Sequence, residues 1–391
     1  MEAAALRQIL LALTGTRAVP DVSGLNDADW QKLGRLAAAQ RLEPLLHAQH
    51  GGTAALPAPL RAQWKAAHRS TALQAMHTRR ELHECCALLE AGGYAPIALK
   101  GSWLAYHAYP EPAQRPMRDI DLLVPLAGVL DAYALLLGAG YRIGGPLELP
   151  LAEYVRLEKH LPILQAPRGT WVELHHLLWE PDGRLDHATP PQDEAQLRAR
   201  AVVGSDGIRV LSPQDTLVHL IIHAVYSHRL DCGPLLLPDI DFLTRAAAID
   251  WPAFWAQARA EGWRSGARLV LDLVAAYRPA ARIDCSGDHG LPAPAALLAA
   301  APDLLMQDLD TRQSAAAAAA VLNHGARGLW QRLRGRRGAH GGQSVTRDMA
   351  SEGGLLGWTG SRLRRSLTDL AQGDVRRQSR QLAALSKWLD Q

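Results

Sequence analysis

Only two phenylalanines and four cysteines occur in the 391 residues, and no apolar run approaches the length of a membrane helix. Crossing a bilayer as a helix takes about 20 consecutive apolar residues, so no transmembrane segment is expected. A cationic start ahead of an apolar stretch is also missing, since Met1-Glu2-Ala3-Ala4-Ala5-Leu6 opens on an acid. Cytoplasmic placement is therefore the expectation. Cys85 and Cys86 are adjacent while Cys232 and Cys285 stand alone, which excludes a Cys-x-x-Cys zinc or redox pattern. The thiols read as small buried hydrophobes. Eleven Trp against two Phe, with abundant Ala, Leu and Arg, is a compositional bias rather than a functional signal. At 48% hydrophobic and 21% charged residues the composition is ordinary for a globular protein, and the length allows two or three folding units.

What is present is concentrated between Leu99 and Val124. Leu99-Lys100-Gly101-Ser102 is followed, within a short helix's length, by Arg118-Asp119-Ile120-Asp121-Leu122-Leu123-Val124. Ala95-Pro96-Ile97-Ala98-Leu99 reads as a buried strand ending on this turn, where glycine lets the backbone approach a ligand. Ser102 then opens a helix through Trp103, Leu104 and Tyr106, at the end that favours an anion. In the following strand Asp119 and Asp121 project from one face, while Ile120, Leu122 and Val124 pack into a core. An Asp-x-Asp pair also occurs on solvated strand edges, but a phosphate-sized turn beside it favours a divalent-cation site. Mg²⁺ or Mn²⁺ is the expected cofactor, and phosphoryl or nucleotidyl transfer the expected chemistry. Trp171-Val172-Glu173-Leu174-His175-His176-Leu177 supplies a third carboxylate, with Glu173 and His175 on one strand face. If that strand lies beside the first, Glu173 joins the metal site as a third ligand or takes the acceptor's proton.

Taken in order, these motifs resemble the nucleotidyltransferase fold shared with DNA polymerase β and the antibiotic nucleotidyltransferases. Within that superfamily they look most like the bacterial branch of uncharacterised nucleotidyltransferases. The first motif of that branch reads Leu-Lys-Gly, as Leu99-Lys100-Gly101 does; arginines precede its Asp strand, matching Arg115 and Arg118; Leu-His follows its third carboxylate, matching Glu173-Leu174-His175. The likeness continues through Leu211-Ser212-Pro213-Gln214-Asp215 and Asp239-Ile240-Asp241-Phe242-Leu243, covering roughly residues 75 to 280. It implies an α+β architecture, a polymerase β-like core with a mixed sheet flanked by N-terminal and C-terminal helical regions. It also implies metal-dependent transfer of a nucleoside monophosphate from an NTP such as ATP, with release of pyrophosphate. Asp119, Asp121 and Glu173 then take the catalytic and metal-binding roles, and Lys100, Gly101, Ser102, Arg115, Arg118, His175 and His223 bind the nucleotide. The acceptor stays open: a hydroxyl or phosphate on a small molecule, a peptide or protein, or an RNA end. The alternative is a catalytically degenerate protein that binds RNA or senses nucleotides.

Four regions are expected: a helical N-terminal region (1–75), the catalytic core (76–205), a helical domain forming the other cleft wall (206–300), and a helical, loop-rich basic region (301–391). Ser212 before Pro213, with Asp215 three residues on, marks a helix start. His219 and His223 lie one turn apart without the glutamate of a His-Glu-x-x-His zinc helix, so packing or cleft lining is the better reading. In a helix Asp239 and Asp241 point about 200° apart, which makes Asp239 a cap or an internal hydrogen-bond partner rather than a second metal motif. Trp251 to Tyr277 reads as one continuing amphipathic helix, and Ala315 to Ala320 as a strong helix former. Residues 321 to 391 hold thirteen Lys/Arg against five Asp/Glu, a net of +8. Arg327, Arg332, Arg334, Arg336 and Arg337 around Trp330 suit RNA or an acidic partner, and equally a solvated basic face.

Overall fold

The computed structural model describes residues 1–15, 20–181, 190–286, 292–307 and 373–390. The basic cluster around Trp330 and the Ala315–Ala320 segment lie outside the described residues. Four helices come first: α1 (Ala3–Gly15), α2 (Asp27–Ala39), α3 (Glu43–His50) and the long α4 (Ala58–Ala91). Asn26 starts α2 with a capping box, its side chain accepting the Asp29 N–H while the Asp29 carboxylate accepts the Asn26 N–H. No backbone break marks position 75, because α4 runs through it.

Seven short strands form one sheet: β1 (Ile97–Ala98), β2 (Asp119–Leu123), β3 (Arg142–Ile143), β4 (Leu164–Gln165), β5 (Trp171–His175), β6 (Val202–Val203) and β7 (Arg209–Val210), in the order β3-β4-β5-β2-β1-β7-β6. β2 runs parallel to β5 and β1 parallel to β7, while the remaining neighbours are antiparallel. The sheet is therefore mixed, as an α+β reading requires. Between β1 and β2 lies α5 (Gly101–His107), α6 (Val129–Gly138) follows β2, α7 (Leu151–Leu157) precedes β4, and α8 (Glu194–Arg200) precedes β6.

Strand alternation sorts the two faces. Ile120, Leu122, Val124, Val172 and Leu174 are buried against Leu82, Cys85 and Leu89 of α4 and Tyr133 and Leu136 of α6. Each such fully buried aliphatic side chain contributes about 1.5–3 kcal/mol. Burial pushes the Cys85 thiol up to about 12, which leaves it packing surface rather than a nucleophile. The opposite face carries Asp119, Asp121 and Leu123, and Leu123 belongs to a second, helical core.

That second core is built on the far side of the carboxylates. Ser212 caps α9 (Pro213–Ile222) by accepting the Asp215 N–H, and a single π turn (His223–Ser227) leads towards α10 (Leu236–Ala246). The stretch expected as one helix to Tyr277 is two, α11 (Trp251–Ala260) and α12 (Arg264–Tyr277). Gly262 separates them at φ +79°, with the Trp263 N–H returning to Ala258 O, the left-handed closure that glycine allows at a helix end. Leu269 of α12, Leu10 of α1, Leu304 of α13 (Ala295–Leu305) and Leu385 of the final helix (Gly373–Leu389) share this core. Among the described residues no helix is long and apolar enough to cross a membrane.

Candidate active site

The turn after β1 is held in an unusual backbone conformation. Lys100 has φ 46° and ψ −121°, which side-chain-bearing residues rarely adopt, and its Nζ donates to Asp121 Oδ1 at 2.9 Å. Burial works against this ammonium, but Asp121 and Glu173 outweigh it and hold its pKa above the ordinary lysine range. Ser102 departs from the expected role. It is buried, its hydroxyl accepts the Asp121 N–H at 3.2 Å, and it does not line the cleft. From the first turn of α5 the serine hydroxyl thus braces the Asp strand.

Gly101 faces the cleft, and the reason only glycine fits is steric. A Cβ there would sit 2.1 Å from Arg115 Nη1 and 3.1 Å from Met117 Cγ. Arg115 has no freedom to yield, since its Nε and Nη2 donate to Asp239 Oδ1 and Oδ2 at 2.7 and 2.8 Å. Gly101→Ala is therefore expected to destabilise the fold by about 1–3 kcal/mol, the usual range for overpacking, read from the midpoint of urea denaturation. An unchanged midpoint would mean that Arg115 moves freely.

The parallel pairing of β2 and β5 places Asp121 directly opposite Glu173. His175 Nε2 lies 2.9 Å from Asp121 Oδ1 and 3.3 Å from Glu173 Oε2, while its Nδ1 is 3.3 Å from Leu177 O. Both ring nitrogens thus face acceptors, an arrangement satisfied by the imidazolium. Burial opposes that charge, but the hydrogen bonds to Asp121 and Glu173 raise the pKa above the ordinary histidine value. His175 was expected to touch the nucleotide; it is instead completely buried behind the carboxylates and does not line the cleft. His160, linked to it by an antiparallel bridge with ring centroids 5.0 Å apart, takes the cleft-facing position.

Asp121, Glu173 and His175 bring one ligand atom each within 4.8 Å of one another. Asp119 stands two residues along the same strand face, and burial followed by the charges of Asp121 and Glu173 pushes its pKa up to about 6. Glu173 goes the other way, to about 2: burial pushes it up, but the hydrogen bond from the His175 imidazolium prevails. A carboxylate whose ionisation is opposed by two neighbouring carboxylates marks a place short of positive charge. A hard divalent cation with oxygen ligands fits such a donor set.

The cleft over these groups has a volume of about 420 Å³. Lys100, Arg115, Arg118, His223, Asp231 and Asp239 line it. Tyr109 Oη adds a 2.6 Å hydrogen bond to Asp239 Oδ1, so the segment leading to β2 is tied to α10. Asp241, two residues on, points away and pairs with Arg278. His223 is kept well below the ordinary histidine pKa by burial and then by His228, and so lines the cleft as a neutral imidazole. His219 and His223 have ring centroids 6.0 Å apart, and among the described residues no third ligating side chain joins them.

Lys159, His160 and Arg41 are among the cleft residues that escaped the sequence reading. Lys159 donates to Glu180 Oε1 at 2.8 Å, His160 sits beside Glu173, and Arg41 enters from the α2–α3 junction. Lys159 and His160 precede β4 without any motif, and nothing in the local sequence around Arg41 signals a cleft.

Residues 26–279 match the profile of a protein family described as uncharacterised nucleotidyltransferase. No curated protein matches the chain. Among solved structures, the crystal structure of ANT(2")-Ia in complex with adenylyl-2"-tobramycin aligns at 14% identity with a TM-score of 0.32, covering 47% of this chain and 96% of that one.

Proposed function

Because the chain belongs to the uncharacterised nucleotidyltransferase family, we propose that this cleft transfers a nucleoside monophosphate from an NTP to an acceptor hydroxyl or phosphate, releasing pyrophosphate. The observation carrying the reading is the register of β2 against β5, which sets Asp121 opposite Glu173 beside the Lys100-Gly101 turn. Asp119, Asp121 and Glu173 would hold the divalent cation, Mg²⁺ or Mn²⁺. When bound, that ion polarises the α-phosphate and offsets charge on the triphosphate. Lys100, the Gly101 backbone, Arg115 and Arg118 bind the triphosphate, and His223 packs along the opposite wall. Residues 76–205 form the catalytic unit in this reading, and 206–300 the facing wall.

The reaction is an in-line displacement. The acceptor oxygen forms a bond to the α-phosphorus as the α,β-bridging P–O bond breaks, and pyrophosphate departs with that electron pair. The acceptor's proton passes to Glu173 Oε2, which lies 3.7 Å from His160 Nε2. Burial lowers the His160 pKa to about 4, and its Nδ1 lies 2.9 Å from Leu161 O, so the neutral ring turns its Nε2 lone pair towards Glu173. A proton arriving there is shared between the two groups.

The test is a thermal-shift titration of wild type and Asp119→Asn/Asp121→Asn with ATP, CTP, GTP and UTP, each with and without Mg²⁺ or Mn²⁺. A triphosphate at a hundred times its dissociation constant should stabilise the wild type by about 2.7 kcal/mol, in a metal-dependent way that the double variant loses. Absence of any metal-dependent shift with all four would overturn the reading.

A further inference from the structure

Arg41 stands where a helix ordinarily ends in glycine. Its N–H returns to Ala38 O and the next N–H, from Leu42, to Ala37 O, the paired hydrogen bonds of a Schellman motif closing α2. The residue at that position takes the left-handed conformation, and Arg41 does so at φ 56°. A side chain is disfavoured there, and a residue held against that preference is a candidate for work done by its side chain.

The Arg41 side chain is half-buried, lines the cleft with Lys100, Arg115 and Arg118, and among the described residues makes no hydrogen bond or ion pair. Asp239 is engaged by Arg115 and Asp121 by Lys100, and Asp119 and Asp239 act on Arg41 only through their charge, without an ion pair. Arg115 retains its Nη1 edge, directed at Gly101. Burial lowers the Arg41 pKa to about 10, and the repulsion of Arg118 and Arg115 adds to this more than Asp119 and Asp239 relieve it. Arg41 and Arg118, guanidiniums that pair with no carboxylate among the described residues, stand in one cleft with the Nη1 edge of Arg115, and guanidinium is the group suited to phosphate oxygens.

We infer that Arg41, contributed by the N-terminal helical layer, is a triphosphate-binding residue that grips the polyphosphate together with Arg118 and the free edge of Arg115. The inference rests on the reading of the cleft as an NTP site. It makes the N-terminal helices part of the substrate site: a polyphosphate in the cleft touches the α2–α3 junction, the turn after β1 and the approach to β2 together.

The experiment compares wild type, Arg41→Gly and Arg41→Lys by calorimetric titration with inorganic pyrophosphate, the four nucleoside triphosphates and their monophosphates, all with Mg²⁺. Arg41→Gly restores the residue the helix end favours, so its melting temperature should equal or exceed that of wild type. Its affinity for pyrophosphate and for the preferred triphosphate should fall at least tenfold, with monophosphate affinity unchanged and with partial recovery in Arg41→Lys. Wild-type affinity for pyrophosphate and triphosphate in Arg41→Gly would overturn the role of Arg41 and leave the NTP site standing. A wild type that binds neither pyrophosphate nor any triphosphate would overturn both.

Discussion

Replacing Asp119 by asparagine is expected to abolish nucleotidyl transfer while making the metal-free protein more stable at pH 7.5. The two effects share one cause. In the fold, burial and the charges of Asp121 and Glu173 raise the Asp119 pKa from 3.8 to about 6. A carboxyl that binds its proton more tightly when folded than when unfolded favours folding in its protonated form, and that advantage is lost as pH rises from about 4 through 6. The shift corresponds to roughly 3 kcal/mol at full ionisation. Asparagine carries no charge to repel, so the variant should melt higher in EDTA at pH 7.5, with the difference vanishing near pH 4. Transfer should drop about a thousandfold or more, since some 4 kcal/mol of transition-state stabilisation is asked of this group. Asp121→Asn, only two residues away, should instead lose stability, because the Lys100 ammonium and His175 imidazolium would keep their burial and lose their shared acceptor. Retained activity in Asp119→Asn would remove this carboxylate from the chemistry, and a lower melting temperature would show that its charge is not opposed.

The parts of this site that sequence reveals are those set by local periodicity. Two-residue alternation is a property of any strand, so Asp119 and Asp121 on one face, with Ile120, Leu122 and Val124 buried behind them, needed no tertiary information. The 100° step of a helix likewise separated Asp239 from Asp241, which the structure pairs with Arg115 and Arg278 on opposite sides of α10. Pairing is different. That Glu173 stands opposite Asp121 depends on which strands become neighbours, and sequence leaves that conditional. Ser102, read as opening a helix at the end that favours an anion, and His175, placed at the nucleotide by the family resemblance, are both turned inwards to satisfy Asp121. A buried carboxylate recruits polar partners whether or not a ligand is present. Gly262 was a readable helix stop passed over in a long apolar stripe. Arg41 was not readable at all, since its place in the cleft is fixed by the packing of α2 on α1 and of α3 on α1 and α4.

Asp239→Asn is expected to cost about 3–5 kcal/mol of stability, because it strips a buried guanidinium of the carboxylate that pairs with it. Asp239 is 4% exposed, accepts both Arg115 bonds and the Tyr109 hydroxyl, and sits in α10, while its partners lie in the segment between α5 and β2. Burial works against the Arg115 charge, and Asp239 more than offsets it, holding the pKa above the ordinary arginine value. An asparagine keeps the volume but offers one acceptor oxygen and an N–H₂ that faces donors. Arg115→Met removes the same charge from the other side, so a double-mutant cycle in urea should show the two losses overlapping, with the pair together costing markedly less than the sum. The geometry also separates stability from binding. Without Asp239 the Arg115 Nη1 edge is no longer fixed against Gly101, so even under conditions where Asp239→Asn remains folded its triphosphate affinity should fall, whereas Asp241→Asn, which disturbs only the Arg278 side of the same helix, should lose stability and keep triphosphate affinity. Additive losses in the cycle would mean that Arg115 finds a second anion in the cleft, with Asp119 the nearest candidate along the chain, and would make α10 a passive wall rather than the element that aims Arg115 at the phosphate turn.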